Sequence, residues 1–313
     1  MTDLQRYIVE EWAEEYREGR LPRRELLRRM ALMAGGAALA VPVLQTLGVT
    51  ATAGEIAAAA AAGPPLVAAA QPGVTVSPDD PAIQVEMITY LRSRGPEPNL
   101  GYLARPRANG PYPGVIVIHE NRGLLEHFKD VARRLAKQGY IALAVDLAAP
   151  AGGTARFADL AQVTAQLGRT PPDELVAMLL DARRRLQETP GIRRDRIGTM
   201  GWCFGGGMVW RFLTQDPELR AGVPFYGSNP PLEDVPKIRA AVLAIYGELD
   251  ARINAGIPAI REALQKANVI HEIVTYPGAA HAFFNDTGAN YKKDAAEDAW
   301  RRTLAWFERY LKG

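Results

Sequence analysis

Beyond residue 84 the chain alternates short apolar runs with segments of helical period, and that alternation restricts it to one fold class. Residues 85–92 and 100–105 read as the two strands of an opening hairpin. Residues 114–119 (GVIVIH) form an unbroken apolar run, as expected for a strand buried on both faces. A helix over 128–138, a strand over 140–145 and a helix over 172–188 follow. Strands at 196–202, 221–225 and 240–246, a helix at 257–267, a strand at 270–276 and a closing helix at 294–311 complete the pattern. The reading is an α/β fold, a mostly parallel, doubly wound sheet with helices on both faces. Residues 152–170 show no clear period and read as a lid or loop. Arg183, Arg184 and Arg185 read as a solvated helix face.

The first seventy residues are different. Leu4, Ile8, Trp12 and Tyr16 lie four apart in a charged segment, the spacing of a weakly amphipathic helix. Arg23 and Arg24 then precede a largely apolar stretch over 30–49, broken by Gly35, Gly36 and Pro42, and Ala-rich sequence continues to Gln71. An arginine pair ahead of a moderately apolar, Gly- and Ala-rich run resembles a twin-arginine export signal. Ala51-Thr52-Ala53 and Ala68-Ala69-Ala70 match small-residue cleavage patterns. The resemblance implies an exported protein, periplasmic or extracellular, with the export machinery as a partner. A membrane anchor is the alternative, because about twenty apolar residues just span a bilayer; a packing extension of the domain is the third reading. Residues 71–83, rich in Pro and polar side chains, read as a linker, and 84–313 as the catalytic domain.

The chain carries a net charge of +2, which gives no basic footprint for nucleic acid. One cysteine excludes an intramolecular disulfide. His119, His127, His271 and His281 lack zinc-ligand spacing, so neither metal nor cofactor is expected.

That cysteine stands in Gly201-Trp202-Cys203-Phe204-Gly205-Gly206, between a buried strand and a helix over 204–213. A nucleophile flanked by glycines at such a junction has the geometry of a nucleophile elbow, with sulfur in the usual place of a serine oxygen. The helix N-terminus beneath it favours thiolate. A thiol nucleophile needs a base, and the base an orienting acid. Asp250 and His281 each lie just past a buried strand, in the chain order nucleophile, acid, histidine. Glu248 is the rival acid. The backbone N–H groups of Phe204 and Asn121 are the candidate oxyanion hole. Glu120 lies in the same loop as Asn121; its charge opposes thiolate formation, and Arg122 is its alternative partner.

The motifs His119-Glu120-Asn121-Arg122-Gly123, Gly201-Trp202-Cys203-Phe204-Gly205-Gly206, Gly247-Glu248-Leu249-Asp250 and Pro277-Gly278-Ala279-Ala280-His281-Ala282-Phe283 run in this order. In these residues the chain from about 84 to 311 resembles the dienelactone hydrolases, a cysteine-dependent branch of the α/β-hydrolase fold. The resemblance implies Cys203 as nucleophile, His281 as base and Asp250 as orienter. It further implies that Glu120 pairs with the resting thiol and turns away when substrate binds. Asn285 stands where well-known members carry an arginine that grips a substrate carboxylate, and Arg122 and Arg156 are the candidates to replace it. The expected activity is hydrolysis of activated esters or lactones through a thioester intermediate. A broader carboxylesterase or thioesterase, and a small-molecule-binding protein on the same scaffold, are the alternatives.

Overall fold

The computed structural model describes residues 1–64 and 75–313. Among the described residues eight strands form one sheet: β1 (Ile83–Tyr90), β2 (Asn99–Pro106), β3 (Tyr112–Ile118), β4 (Ile141–Asp146), β5 (Ile192–Trp202), β6 (Ala221–Phe225), β7 (Ala241–Gly247) and β8 (His271–Tyr276). Their spatial order is β1-β2-β4-β3-β5-β6-β7-β8. The first two pairings are antiparallel and the rest parallel. Strands β4, β6 and β7 are buried along their whole length, which is why they read as continuous apolar runs rather than alternating ones.

Eleven helices surround the sheet among the described residues. The N-terminal ones are α1 (Asp3–Arg17), α2 (Arg23–Ala34), α3 (Ala37–Thr46) and α4 (Ala53–Ala61). Those of the body are α5 (Glu126–Lys137), α6 (Leu160–Arg169), α7 (Pro172–Gln187), α8 (Phe204–Gln215), α9 (Ala251–Asn254), α10 (Ile257–Lys266) and α11 (Lys293–Phe307). Two segments depart from the sequence reading. Residues 152–170 contain helix α6, whose buried face is made of small residues, Ala161, Val163, Thr164, Ala165 and Gly168, with Leu167. Such a face carries little hydrophobic contrast, so its period is faint. Arg183 is not solvated: it is buried on α7 and pairs with Asp216 and Glu218 at 2.6 Å.

Residues 1–61 fold as helices that pack on the body. Leu4, Ile8, Val9 and Trp12 of α1 and Leu26, Leu27 and Met30 of α2 join the core. A Cβ at Gly168 of α6 would meet Met33 at 2.8 Å and Ile8 at 3.0 Å, so its hydrogen side chain permits the close approach. Buried Arg28 is bound by Glu25 on α2 and by Asp159, the N-cap of α6. Arg23 and Arg24 remain exposed at the start of α2. Thr52, within one expected cleavage pattern, caps α4. The other pattern, at 68–70, and the first part of the expected linker lie outside the described residues. Where the description resumes, Asp130 of α5 accepts the backbone N–H groups of Thr75 and Val76 at 3.1 and 2.8 Å. Among the described residues no single helix is long and apolar enough to cross a membrane; α2 and α3 suffice together but are bent by 113°.

Candidate active site

Four loops at the carboxyl ends of β3, β5, β7 and β8 converge at one point, the usual place for chemistry in a parallel sheet. Cys203 is the single residue between β5 and α8. Its φ of 57° and ψ of −120° place it in a region that L residues seldom occupy. The turn is locked by the Cys203 N–H, which donates to Phe225 O at 3.0 Å, and by Cys203 O, which accepts from the N–H of Gly207 at 3.0 Å. The glycines have a steric reason. A Cβ at Gly205 would lie 2.4 Å from the carbonyl oxygens of Ile118 and His119, and one at Gly201 would lie 2.6 Å from that of Gly205. The sulfur sits at the positive end of α8.

Asp250 ends the β7 loop and caps α9, accepting from the Ile253 N–H at 3.4 Å. Its other oxygen binds His281 Nδ1 at 2.5 Å. The backbone of His281 is held by Asn290, which donates to its carbonyl at 2.8 Å, and its ring lies 4.9 Å from that of Tyr226. With Nδ1 committed to Asp250, Nε2 is buried and makes no conventional hydrogen bond among the described residues. Burial pushes the imidazole down, but Asp250 and, after it, Cys203 together outweigh this and hold it well above its ordinary value. Glu248 points elsewhere, accepting from the Gly278 N–H at 2.7 Å in an exposed position.

The sulfur's hydrogen-bond partners come from the far end of the sequence. Tyr7 of α1 donates its hydroxyl to Cys203 Sγ at 3.4 Å, and the thiol donates to the Glu11 carboxyl at 3.5 and 3.7 Å. Asn121 donates its side-chain amide to the same carboxyl at 3.0 Å. Arg252 of α9 holds α1 from the other side, with Nε on Glu14 at 3.0 Å and its guanidinium 4.7 Å from the Tyr7 ring centroid. Cys203 is 3% exposed and Glu11 8%. Burial, and after it Glu11, push the thiol up to about 11, while His281 pulls the other way. Burial also raises the Glu11 carboxyl above its usual range. One ligand atom each from Glu11, Cys203 and His281 lies within 4.8 Å of the others, the one trio among the described residues with the spacing to hold a metal ion.

Glu120, expected to face the resting thiol, does not hydrogen-bond to it. Asn285 donates to one of its oxygens at 3.0 Å and the Tyr226 hydroxyl to the other at 3.5 Å. Those two donors draw the carboxylate aside, and Glu11 stands before the sulfur. Asn285 is thus a neighbour of Glu120. The side chains of Arg122 and Arg156 are exposed and make no hydrogen bond or ion pair among the described residues. Phe204 is the first residue of α8, so its N–H has no partner within the helix, and the N–H of Asn121 has no acceptor among the described residues. Tyr7 and Glu11 are the residues sequence reasoning missed. Their signal was present: Leu4, Tyr7, Ile8, Glu11 and Trp12 share one stripe at spacings of three and four, which puts a carboxyl on an otherwise apolar face.

The model of the dienelactone hydrolase family matches residues 100–311. An Escherichia coli O157:H7 protein named as a carboxymethylenebutenolidase is 36% identical over 249 residues, covering 76% of this chain and 91% of its own. A Saccharolobus solfataricus protein of the same name is 35% identical over 244 residues, covering 67% of this chain and 94% of its own. Among solved structures, a Klebsiella pneumoniae subsp. pneumoniae protein named as a dienelactone hydrolase is 35% identical with a TM-score of 0.67. That match covers 73% of this chain and all of the other.

Proposed function

The chain belongs to the dienelactone hydrolase family and is a hydrolase of the carboxymethylenebutenolidase kind, and we propose that it cleaves activated esters or lactones through Cys203, His281 and Asp250. The observation that carries this reading is the 2.5 Å contact between Asp250 and His281 Nδ1, which leaves Nε2 for the strained sulfur. In the proposed reaction Nε2 takes the thiol proton and the sulfur attacks the acyl carbon. The N–H groups of Phe204 and Asn121 hold the oxyanion; each such donor is worth roughly 3–4 kcal/mol in comparable sites. The proton passes to the leaving oxygen and a thioester remains. His281 then draws a proton from water, which attacks the thioester and restores the thiol. Asp250 keeps the imidazole in the required tautomer throughout.

Cys203→Ala is expected to abolish hydrolysis of p-nitrophenyl acetate and of a lactone panel while leaving the melting temperature in place. Undiminished turnover in that variant would remove the mechanism. Residues 1–70 are proposed as a twin-arginine-type export address, supported by the exposure of Arg23 and Arg24 ahead of an apolar run. Intact mass of the protein recovered from outside the cytoplasm reads this directly, since cleavage removes a defined mass.

A further inference from the structure

The groove above Cys203 holds a ligand of this chain's own making. A carbonyl carbon has to approach sulfur to about 3–3.5 Å before it can react. The Glu11 carboxyl already fills that approach, with its oxygens 3.5 and 3.7 Å from Sγ and the Asn121 amide at 3.0 Å on its flank. The Tyr7 hydroxyl closes a second side at 3.4 Å. A cavity of about 530 Å³ lies alongside, lined by Leu4, Tyr7, Ser228, Pro231 and Arg252 among others. Cys203 does not line it.

We infer that helix α1 is an intramolecular inhibitor, a helix-in-groove ligand that occupies the acyl position through Glu11 and has to leave before an ester can reach Cys203. The blocked step is the thiol attack proposed above, so the inference rests on that reading. Attachment is built from separable parts. The body contributes an apolar seat for Leu4 and Ile8, the Gly168 carbonyl, which accepts the Thr2 hydroxyl at 3.2 Å, and Arg252, which pairs with Glu14. The hydrogen bond from the thiol to the Glu11 carboxyl at 3.5 Å adds a buried polar contact to that seat. Undocking also removes the Glu11 carboxyl, which helps to hold the thiol pKa up.

The test uses the full-length chain carrying Glu14→Lys, which sets a cation against Arg252 without touching sulfur, imidazole or either oxyanion donor. A second protein lacks residues 1–20. Two rates are read at pH 8: carbamidomethylation of Cys203 by iodoacetamide, and kcat/KM for p-nitrophenyl acetate. Both are expected to rise about tenfold or more in each protein, the effect of removing about 1.4 kcal/mol of docking free energy. Labelling unchanged in both proteins overturns the inference. Labelling that rises while hydrolysis falls below that of the parent also overturns it, and makes α1 part of the working site. Labelling that rises with no hydrolysis in any form, the parent included, upholds the docking and removes the hydrolase reading instead.

Discussion

On the Cys203 sulfur, attack on a carbonyl calls for thiolate, yet in the resting fold burial and Glu11 hold its pKa up at about 11. At pH 7 that leaves roughly one sulfur in 10⁴ ionised. Because the shift is upward, the reactive form grows as pH rises. Alkylation of the full chain should therefore climb about tenfold per pH unit between pH 7 and 10, without a plateau. A plateau below pH 9 would mean that these neighbours do not govern the thiol. Asp250→Asn keeps the shape of the hydrogen bond to His281 and offers the wrong tautomer, so kcat should fall by about 10⁴ with little change in folding. A loss of less than tenfold would take Asp250 out of the orienting role.

The elbow between β5 and α8 is where one hydrogen atom matters most. Gly205→Ala places a methyl 2.4 Å from two backbone oxygens that have no room to retreat. The expected cost is about 1–3 kcal/mol in urea unfolding, together with loss of hydrolysis as Cys203 shifts. Full activity at unchanged stability would show the turn to be more yielding than its contacts imply. Elements like this were legible because their residues carry the constraint: β6 begins and ends at the residues its apolar run predicted, and the helix after Cys203 was announced by the glycines. Helix α6 was illegible because Ala, Thr and Gly on its buried face resemble a loop. The docking of α1 was illegible for another reason. Periodicity identifies the face that Leu4, Ile8 and Trp12 present, but not the surface that receives it. Glu11 stands on that same face, but the sequence does not say what a carboxyl there meets. Its role becomes visible only once Asn121, Cys203 and Arg252 are brought around it from distant loops.

Across the whole molecule, the N-terminal helices and the sheet are joined by packing and by a buried charge cluster. Burial alone would raise the Glu25 carboxyl, but hydrogen bonds from Arg28 and Arg29 more than offset it and its pKa is lowered. A carboxyl with a lower pKa folded than unfolded stabilises the fold above its unfolded pKa, and the benefit disappears as pH falls through the folded value. Acidification below about pH 4 should thus expose the amides of α2 to hydrogen exchange before those of β3 and β5. Arg28→Ala should give the same order at neutral pH. Simultaneous loss would make the two parts a single cooperative unit. The address and the inhibitor proposed for residues 1–70 also share one segment: Arg23 and docked Glu11 are twelve residues apart in sequence.

Helix α1 reaches the sulfur while joined to the rest of the polypeptide by an unbroken backbone. Every groove is therefore supplied with one occupant, at an effective concentration on the order of millimolar. Dilution does not release it, and overproduction does not outrun it. The quiescent fraction of this enzyme is set by the chain itself and is independent of how many copies a cell makes.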